Sequence, residues 1–204
     1  MPMAAHAQKQ PRFFDRCDFA NGDEPLKSPI TCFRYLEPIL VATARYSNCM
    51  PKGHLTPLEH SAHNRCFGCG PANPVGLHLD FFVAEDQSVL CLPEIADTFE
   101  GPQGLLHGGI IATLLDEAMS KSVRVRGLTA MTRQMEVEYL RPVPSATSIR
   151  VEGRLVRSEG RKHWTEAKIL DKRSHTLATA KGLFVEVRAS RVMTGRPEDR
   201  PETD

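Results

Sequence analysis

No apolar run in this 204-residue chain is long enough to span a bilayer, so no transmembrane helix is expected. No basic segment followed by an apolar stretch opens the sequence, so a secretory signal is not expected either. Net charge is only +1, from 26 Lys and Arg against 25 Asp and Glu. There is no one-signed field to gather nucleic acid or an anionic membrane. Six unevenly placed cysteines are too few for a disulfide scaffold. These absences leave a cytoplasmic protein with reduced thiols as the expectation. What is present is ordinary globular material, 41% hydrophobic and 25% charged, in a length that suits one domain with an extension.

Three textures follow one another. Residues 1–60 scatter Pro, Gly, Asn and Asp around one short apolar run at 39–42, without the periodicity of a core-building unit, and read as an N-terminal extension. Met50-Pro51 stands just ahead of the organised sequence and offers Met50 as an alternative start of translation. Residues 61–188 are the domain proper. Residues 189–204 are rich in Arg, Glu and Pro and read as a loose tail.

Within the domain the pattern is β-β-α-β-β-β-β. Strands are expected at 77–83, 88–92, 131–140, 148–157, 163–170 and 176–187, and a helix at 108–123. Alternation is clearest at Met135, Val137 and Tyr139 and again at Ile149, Val151 and Leu155. The turn signals at 141–145, 158–161 and 171–174 are short, so consecutive strands are expected to pair as antiparallel neighbours. On the helix, Ile110, Ile111, Leu114, Leu115 and Ala118 share an arc that packs on the sheet. Ala112, Thr113, Asp116 and Ser120 gather on a smaller, more polar arc. Glu117 and Lys121, four apart, are expected to pair on the wet side. One helix on an antiparallel sheet is an α+β arrangement.

The helix starts from an unusual turn. Glycines at 101, 104, 108 and 109 surround His107 and feed straight into the apolar helix, with Asp116 two turns further on. Backbone N–H groups at a helix start have no partner inside the helix, and the dipole there favours negative charge. Glycine lets a substrate oxygen reach those donors. A polarised carbonyl suits the same place as an anion, and a carboxylate nearby can act as base or nucleophile. That is the outline of an acyl-transfer site.

The stretch 66–187 resembles the hotdog-fold acyl-CoA thioesterases, in their PaaI-like, phenylacetate-pathway branch. The residues that carry the likeness are Cys66-Phe67-Gly68-Cys69-Gly70-Pro71-Ala72-Asn73-Pro74 with Gly76-Leu77, then His107-Gly108-Gly109 and Asp116, then Tyr139-Leu140-Arg141-Pro142-Val143-Pro144 and Gly182 to Val187. The resemblance implies a curved antiparallel sheet wrapped around one long central helix. It implies hydrolysis of an acyl-CoA thioester, with no cofactor because coenzyme A is part of the substrate. It implies Asp116 as general base or nucleophile, the Gly108 N–H as the donor to the thioester carbonyl, and His107 as a shaper of the turn beside Gly109. Thr132 would orient the water or thioester from the opposite protomer, since the family's sites lie between subunits. A homodimer or homotetramer follows. Where some members carry an Asn ahead of the His, this chain has Gly101, and Gln103 is the nearest amide.

The phosphates of coenzyme A call for basic side chains, and Arg161 and Lys162, just after the Gly160 turn, are preferred over Arg133 and Arg141. Met119, Val123, Met131 and Met135 are the candidates for the acyl-chain floor. His60, His63, Cys66 and Cys69 present four metal donors, but every-third-residue spacing on one loop strains a tetrahedron, so a tight turn with reduced thiols is expected and no metal. Two other functions use similar parts. A hotdog hydratase or dehydratase would pair His107 with Asp116 or Glu117, and a non-catalytic acyl-CoA sensor would bind the ester without turnover.

Overall fold

The computed structural model describes residues 54–187. The expectations for the run at 39–42, for a start at Met50 and for the tail at 189–204 lie outside the described residues. Among the described residues seven strands form one antiparallel sheet: β1 (Thr56–Pro57), β2 (Phe81–Val83), β3 (Val89–Cys91), β4 (Ala130–Tyr139), β5 (Arg150–Glu159), β6 (Lys162–Leu170) and β7 (Thr176–Glu186). Their order across the sheet is β1-β2-β3-β5-β6-β7-β4. One long helix, α1 (Gly108–Arg124), packs on β3 to β7. This is the expected α+β layout of a sheet wrapped around one central helix. Among the described residues no helix is long and apolar enough to cross a membrane.

The helix forms where its apolar arc predicts. Ile111, Leu114, Leu115, Ala118, Met119 and Val123 are buried against Phe81, Val151, Ile169, Ala178 and Phe184. Each fully buried Leu or Met side chain contributes about 1.5–3 kcal/mol. Contact is close enough that a Cβ on Gly153 of β5 would fall 2.4 Å from the Ala118 carbonyl oxygen. The helix ends at Val125, and Gly127 follows with φ +74°.

Strands β5, β6 and β7 pair in sequence, as their short turns predict, with Gly160 at φ +55° between the first two. Strand β4 departs from that rule. It pairs with β7 at the far edge, while β3 takes the place beside β5. The link after β4 contains Pro142 and Pro144 and cannot close a tight hairpin. It packs instead beneath the loop ahead of α1, with Leu106 N–H donating to Val143 O at 2.9 Å. The expected strand at 77–83 is also shorter than its pattern. Leu77 and Leu79 give their N–H groups to Phe67 and Gly68 of the preceding loop, and His78 sits at φ +49°. On the opposite side, Thr56–Pro57 joins the sheet ahead of residue 61 by pairing with β2.

Glu117 and Lys121 do pair, at 2.8 Å, but the pair is buried rather than on the wet side. The 64–70 loop covers it. The long edge strand β4 is mostly exposed, and Met131, Tyr139 and the following Leu140 are each more than half exposed.

Candidate active site

The first turn of α1 uses up most of its own donors. His107 is the N-cap, with extended backbone, and its Nδ1 accepts from Gly109 N–H at 2.9 Å. The His107 carbonyl accepts from Ile110 and Ile111 N–H at 2.9 and 3.1 Å. Among the described residues this leaves the Gly108 N–H as the first-turn donor without a partner. Tyr139, at the far end of β4, closes over this turn, its hydroxyl donating to the Gly108 carbonyl at 3.1 Å. A Cβ at Gly108 would meet only the Tyr139 ring, at 3.7 Å.

Asp116 is half-buried on the face of α1 turned to β4. Its Oδ1 accepts from Thr132 Oγ1 at 2.8 Å. Burial pushes the carboxyl above its ordinary range, the Thr132 hydrogen bond opposes this, and neighbouring Glu117 adds to the rise while Lys121 draws it down. The result is a carboxylate with a neutral donor, short of solvent and more basic than a surface aspartate.

A bulge makes the Thr132 contact possible. The β4–β7 register slips between Thr132, opposite Phe184, and Gln134, opposite Leu183, so Arg133 is the extra residue. Strict alternation would put Thr132 on the face opposite Met135 and Val137. With the slip, Thr132, Met135, Val137 and Tyr139 oppose Phe184, Gly182, Ala180 and Ala178 and share the helix side. The expectation that Thr132 serves Asp116 from the opposite protomer is therefore corrected: one chain brings the two together.

The other sequence-derived candidates are distributed more widely. Gly109 is exposed, and its N–H is taken by the cap. Arg161 donates from Nε and Nη2 to the Glu186 carbonyl at 3.2 and 2.6 Å, which holds it at the end of the sheet where β4 begins. Lys162 is in line with Val185 and Met131, on the face away from α1, so the chain does not bring it to Asp116. Arg141 is tied to Thr176 O at 2.9 Å, while Arg133 and Gln103 are exposed. Met119 and Val123 are core residues, Met135 is half-buried and Met131 lies open. His107 and Asp116 are nine residues apart on one helix, about 13 Å by helical rise, and Glu117 is engaged elsewhere, so a hydratase-like His–acid pair is not assembled within the chain.

Two arrangements escaped sequence reasoning. Tyr139 on the Gly108 carbonyl was hidden because it depends on β4 lying beside the helix start. The second is around Glu117. Cys66 Sγ donates to Glu117 Oε1 at 3.1 Å and Lys121 holds Oε2 at 2.8 Å. Burial alone would raise the Glu117 carboxyl, but Lys121 and the hydrogen bonds, from the thiols among others, keep it below its ordinary range. Burial pushes the Cys69 thiol up to about 11. Of the four donors noted at 60–69, only Cys66 and Cys69 join this group; His63 is exposed and His60 Nδ1 lies 3.2 Å from Arg124 Nη1.

Comparison with known proteins agrees with this fold. Residues 103–178 match the thioesterase superfamily model. The acyl-coenzyme A thioesterase THEM4 of Xenopus laevis is 31% identical over 110 residues, which cover 52% of this chain and 49% of that protein. The chain thus spans about half the length of the curated relatives it matches. The BH2602 protein of Bacillus halodurans, solved with CoA, is 26% identical with a TM-score of 0.50, over 55% of this chain and 76% of that one. The E. coli PaaI protein from the phenylacetic acid degradation operon shares the fold, with a TM-score of 0.52 at 16% identity, over 55% of this chain and 81% of its own.

Proposed function

From the premise that this chain belongs to the hotdog-fold thioesterase superfamily, we propose that it hydrolyses the thioester of an acyl-coenzyme A to the free acid and CoA, with Asp116 as general base or nucleophile. The observation that carries the reading is the half-buried Asp116 carboxylate, held by the hydroxyl of Thr132 and, among the described residues, in no ion pair. A carboxylate in that setting keeps a lone pair for a proton or a carbonyl carbon. The Gly108 N–H is the companion donor, aimed where charge grows on the thioester oxygen. Water attacks the carbonyl carbon as Asp116 takes its proton, the C–S bond breaks, and the CoA thiolate leaves and is protonated. Direct attack by Asp116 would pass instead through a mixed anhydride that water then opens.

The two halves of this site suit two copies of the chain better than one. Gly108 and Asp116 are eight residues apart on α1, about 12 Å along its axis. A thioester in direct contact with both needs them far closer, with reacting atoms about 3–3.5 Å apart. The open edge of β4 supplies the remedy. Ten residues long and mostly exposed, it is the kind of edge that pairs with a second strand. Antiparallel pairing of β4 with itself about a two-fold between Met135 and Glu136, one residue past its midpoint, puts Thr132 of one copy opposite Tyr139 of the other. Since Thr132 sits on Asp116 and Tyr139 on Gly108, the two-fold brings Asp116 of one copy to the Gly108 N–H of the partner subunit. Arg161, fixed at the Thr132 end of the sheet, stands near the mouth of such a site for the phosphates of CoA.

The test is release of free thiol from a panel of acyl-CoAs by the wild type and by Asp116→Asn. Hydrolysis lost in a folded variant supports the reading. Binding of the esters without hydrolysis by the wild type would make the protein a sensor and Asp116 a structural residue.

A further inference from the structure

On the covered side of α1, away from Asp116, three donor atoms converge. Cys66 Sγ, Cys69 Sγ and a carboxylate oxygen of Glu117 all lie within 4.8 Å of one another. The two thiols come from one tight turn, closed by Gly70 N–H donating to Cys66 O at 2.9 Å. The carboxylate comes from the middle of the helix. Between the thiols, a Cβ on Gly68 would fall 2.3 Å from Glu117 Cγ, so the turn can rest on the carboxylate only because residue 68 has no side chain.

We propose that Cys66, Cys69 and Glu117 bind one thiophilic divalent cation of the zinc type, with water as the fourth ligand, and that the ion clamps the 66–70 turn to the centre of α1. Zn–S and Zn–O bonds of about 2.3 and 2.0–2.2 Å give tetrahedral ligand–ligand edges of about 3.5–3.8 Å. The 3.1 Å between Cys66 Sγ and Glu117 Oε1 is already within that reach. The other pairs, within 4.8 Å, close by about 1.3 Å at most. Charge balances as well. A dication, two thiolates and one carboxylate sum to minus one, and the buried Lys121 ammonium brings the cluster to zero, which spares the fold a net buried charge.

The surrounding contacts leave the ligand atoms free while fixing their direction. Lys121 Nζ holds Glu117 Oε2, so Oε1 is the oxygen presented to the ion. Asn64 Nδ2 lies 3.6 Å from Cys69 Sγ and steers that sulfur. On binding, the proton that Cys66 now shares with Glu117 leaves to solvent together with that of Cys69, and the ion takes its place. Two soft thiolates select zinc over magnesium or calcium. The strain that spoils a four-donor set on one loop does not arise, because the third ligand comes from the helix.

The experiment uses the full chain, purified reduced and without a metal-binding tag, stripped with chelator and titrated with cobalt(II), then zinc(II). One cobalt per chain with sulfur-to-cobalt charge-transfer absorption is expected, displaced by zinc, and zinc should raise Tm. Cys66→Ser and Cys69→Ser should each abolish the absorption and the zinc-dependent rise in Tm while melting normally in chelator. Glu117→Gln should weaken cobalt binding by more than tenfold. No charge-transfer absorption at millimolar cobalt would overturn the proposal, as would absorption that survives Cys66→Ser. A Cys66–Cys69 disulfide in freshly isolated protein, read by mass after alkylation, would also overturn it and make the pair a redox couple.

Discussion

Asp116 and Glu117 are neighbours on one helix and differ in almost everything that decides what a carboxylate does. Asp116 faces the open edge of the sheet, half-buried, with a single neutral donor. Glu117 faces the loop at 64–70, buried, with an ammonium on one oxygen and a thiol on the other. Burial lifts the first carboxyl because the Thr132 hydrogen bond and the more distant Lys121 charge offset it only in part. The second is held down because Lys121 overrides the same burial. The lesson is that desolvation makes a reactive carboxylate only where the fold withholds a cation. Where the fold supplies one, the same helix position becomes a structural tie.

Substitution on each side should break the comparison in different currencies. Asp116→Asn is expected to cut thiol release from acyl-CoA by about 10²–10⁴-fold while leaving Tm and ester binding close to wild type. Glu117→Ala should do the reverse, stranding a buried Lys121 and costing about 3–5 kcal/mol of stability by urea titration in chelator. Should Asp116→Asn unfold the protein, or Glu117→Ala leave its stability intact, the two carboxylates have been assigned to the wrong roles.

The glycines facing these two sides sharpen the contrast. Gly68→Ala drives a methyl into Glu117, with the nearest carbon at 2.3 Å, and should cost about 1–3 kcal/mol. Gly108→Ala meets nothing closer than the Tyr139 ring at 3.7 Å and should fold normally. Its methyl would instead stand where the thioester approaches, lowering kcat/KM by about tenfold or more if that contact is an oxyanion donor. Thermal melts and steady-state kinetics on the same two variants decide the matter.

Much of this was legible in the chain. The apolar arc of α1, the glycine turn that starts it, and the β5–β6–β7 hairpins are local patterns, and local patterns survive folding. What escaped reading depends on distant partners. Glu117 and Lys121 look like an exposed pair at helical spacing; the loop that buries them lies some fifty residues earlier in the chain and announces itself only as Gly and Cys. Leu77 and Leu79 alternate like a strand, yet that same loop claims their N–H groups. Strand β4 follows α1 and precedes β5 but joins β7, because a proline-containing link favours a crossing over a hairpin.

Thr132 shows the limit most sharply and carries the smallest expected effect. Counting in twos from Met135 places it on the outer face, and only the extra residue Arg133 returns it to Asp116. If the hydroxyl merely orients the carboxylate, Thr132→Val removes one hydrogen bond worth about 0.5–1.5 kcal/mol, so activity should fall by about tenfold or less. Thr132→Ser keeps the donor and should recover most of that loss. Equal activity in the valine and serine variants would mean that the contact is packing alone, and that the bulge serves the sheet edge rather than Asp116. A loss in both as large as that of Asp116→Asn would mean that Thr132 touches the reacting atoms itself, and the division between a chemical Asp116 and a supporting strand would have to be redrawn.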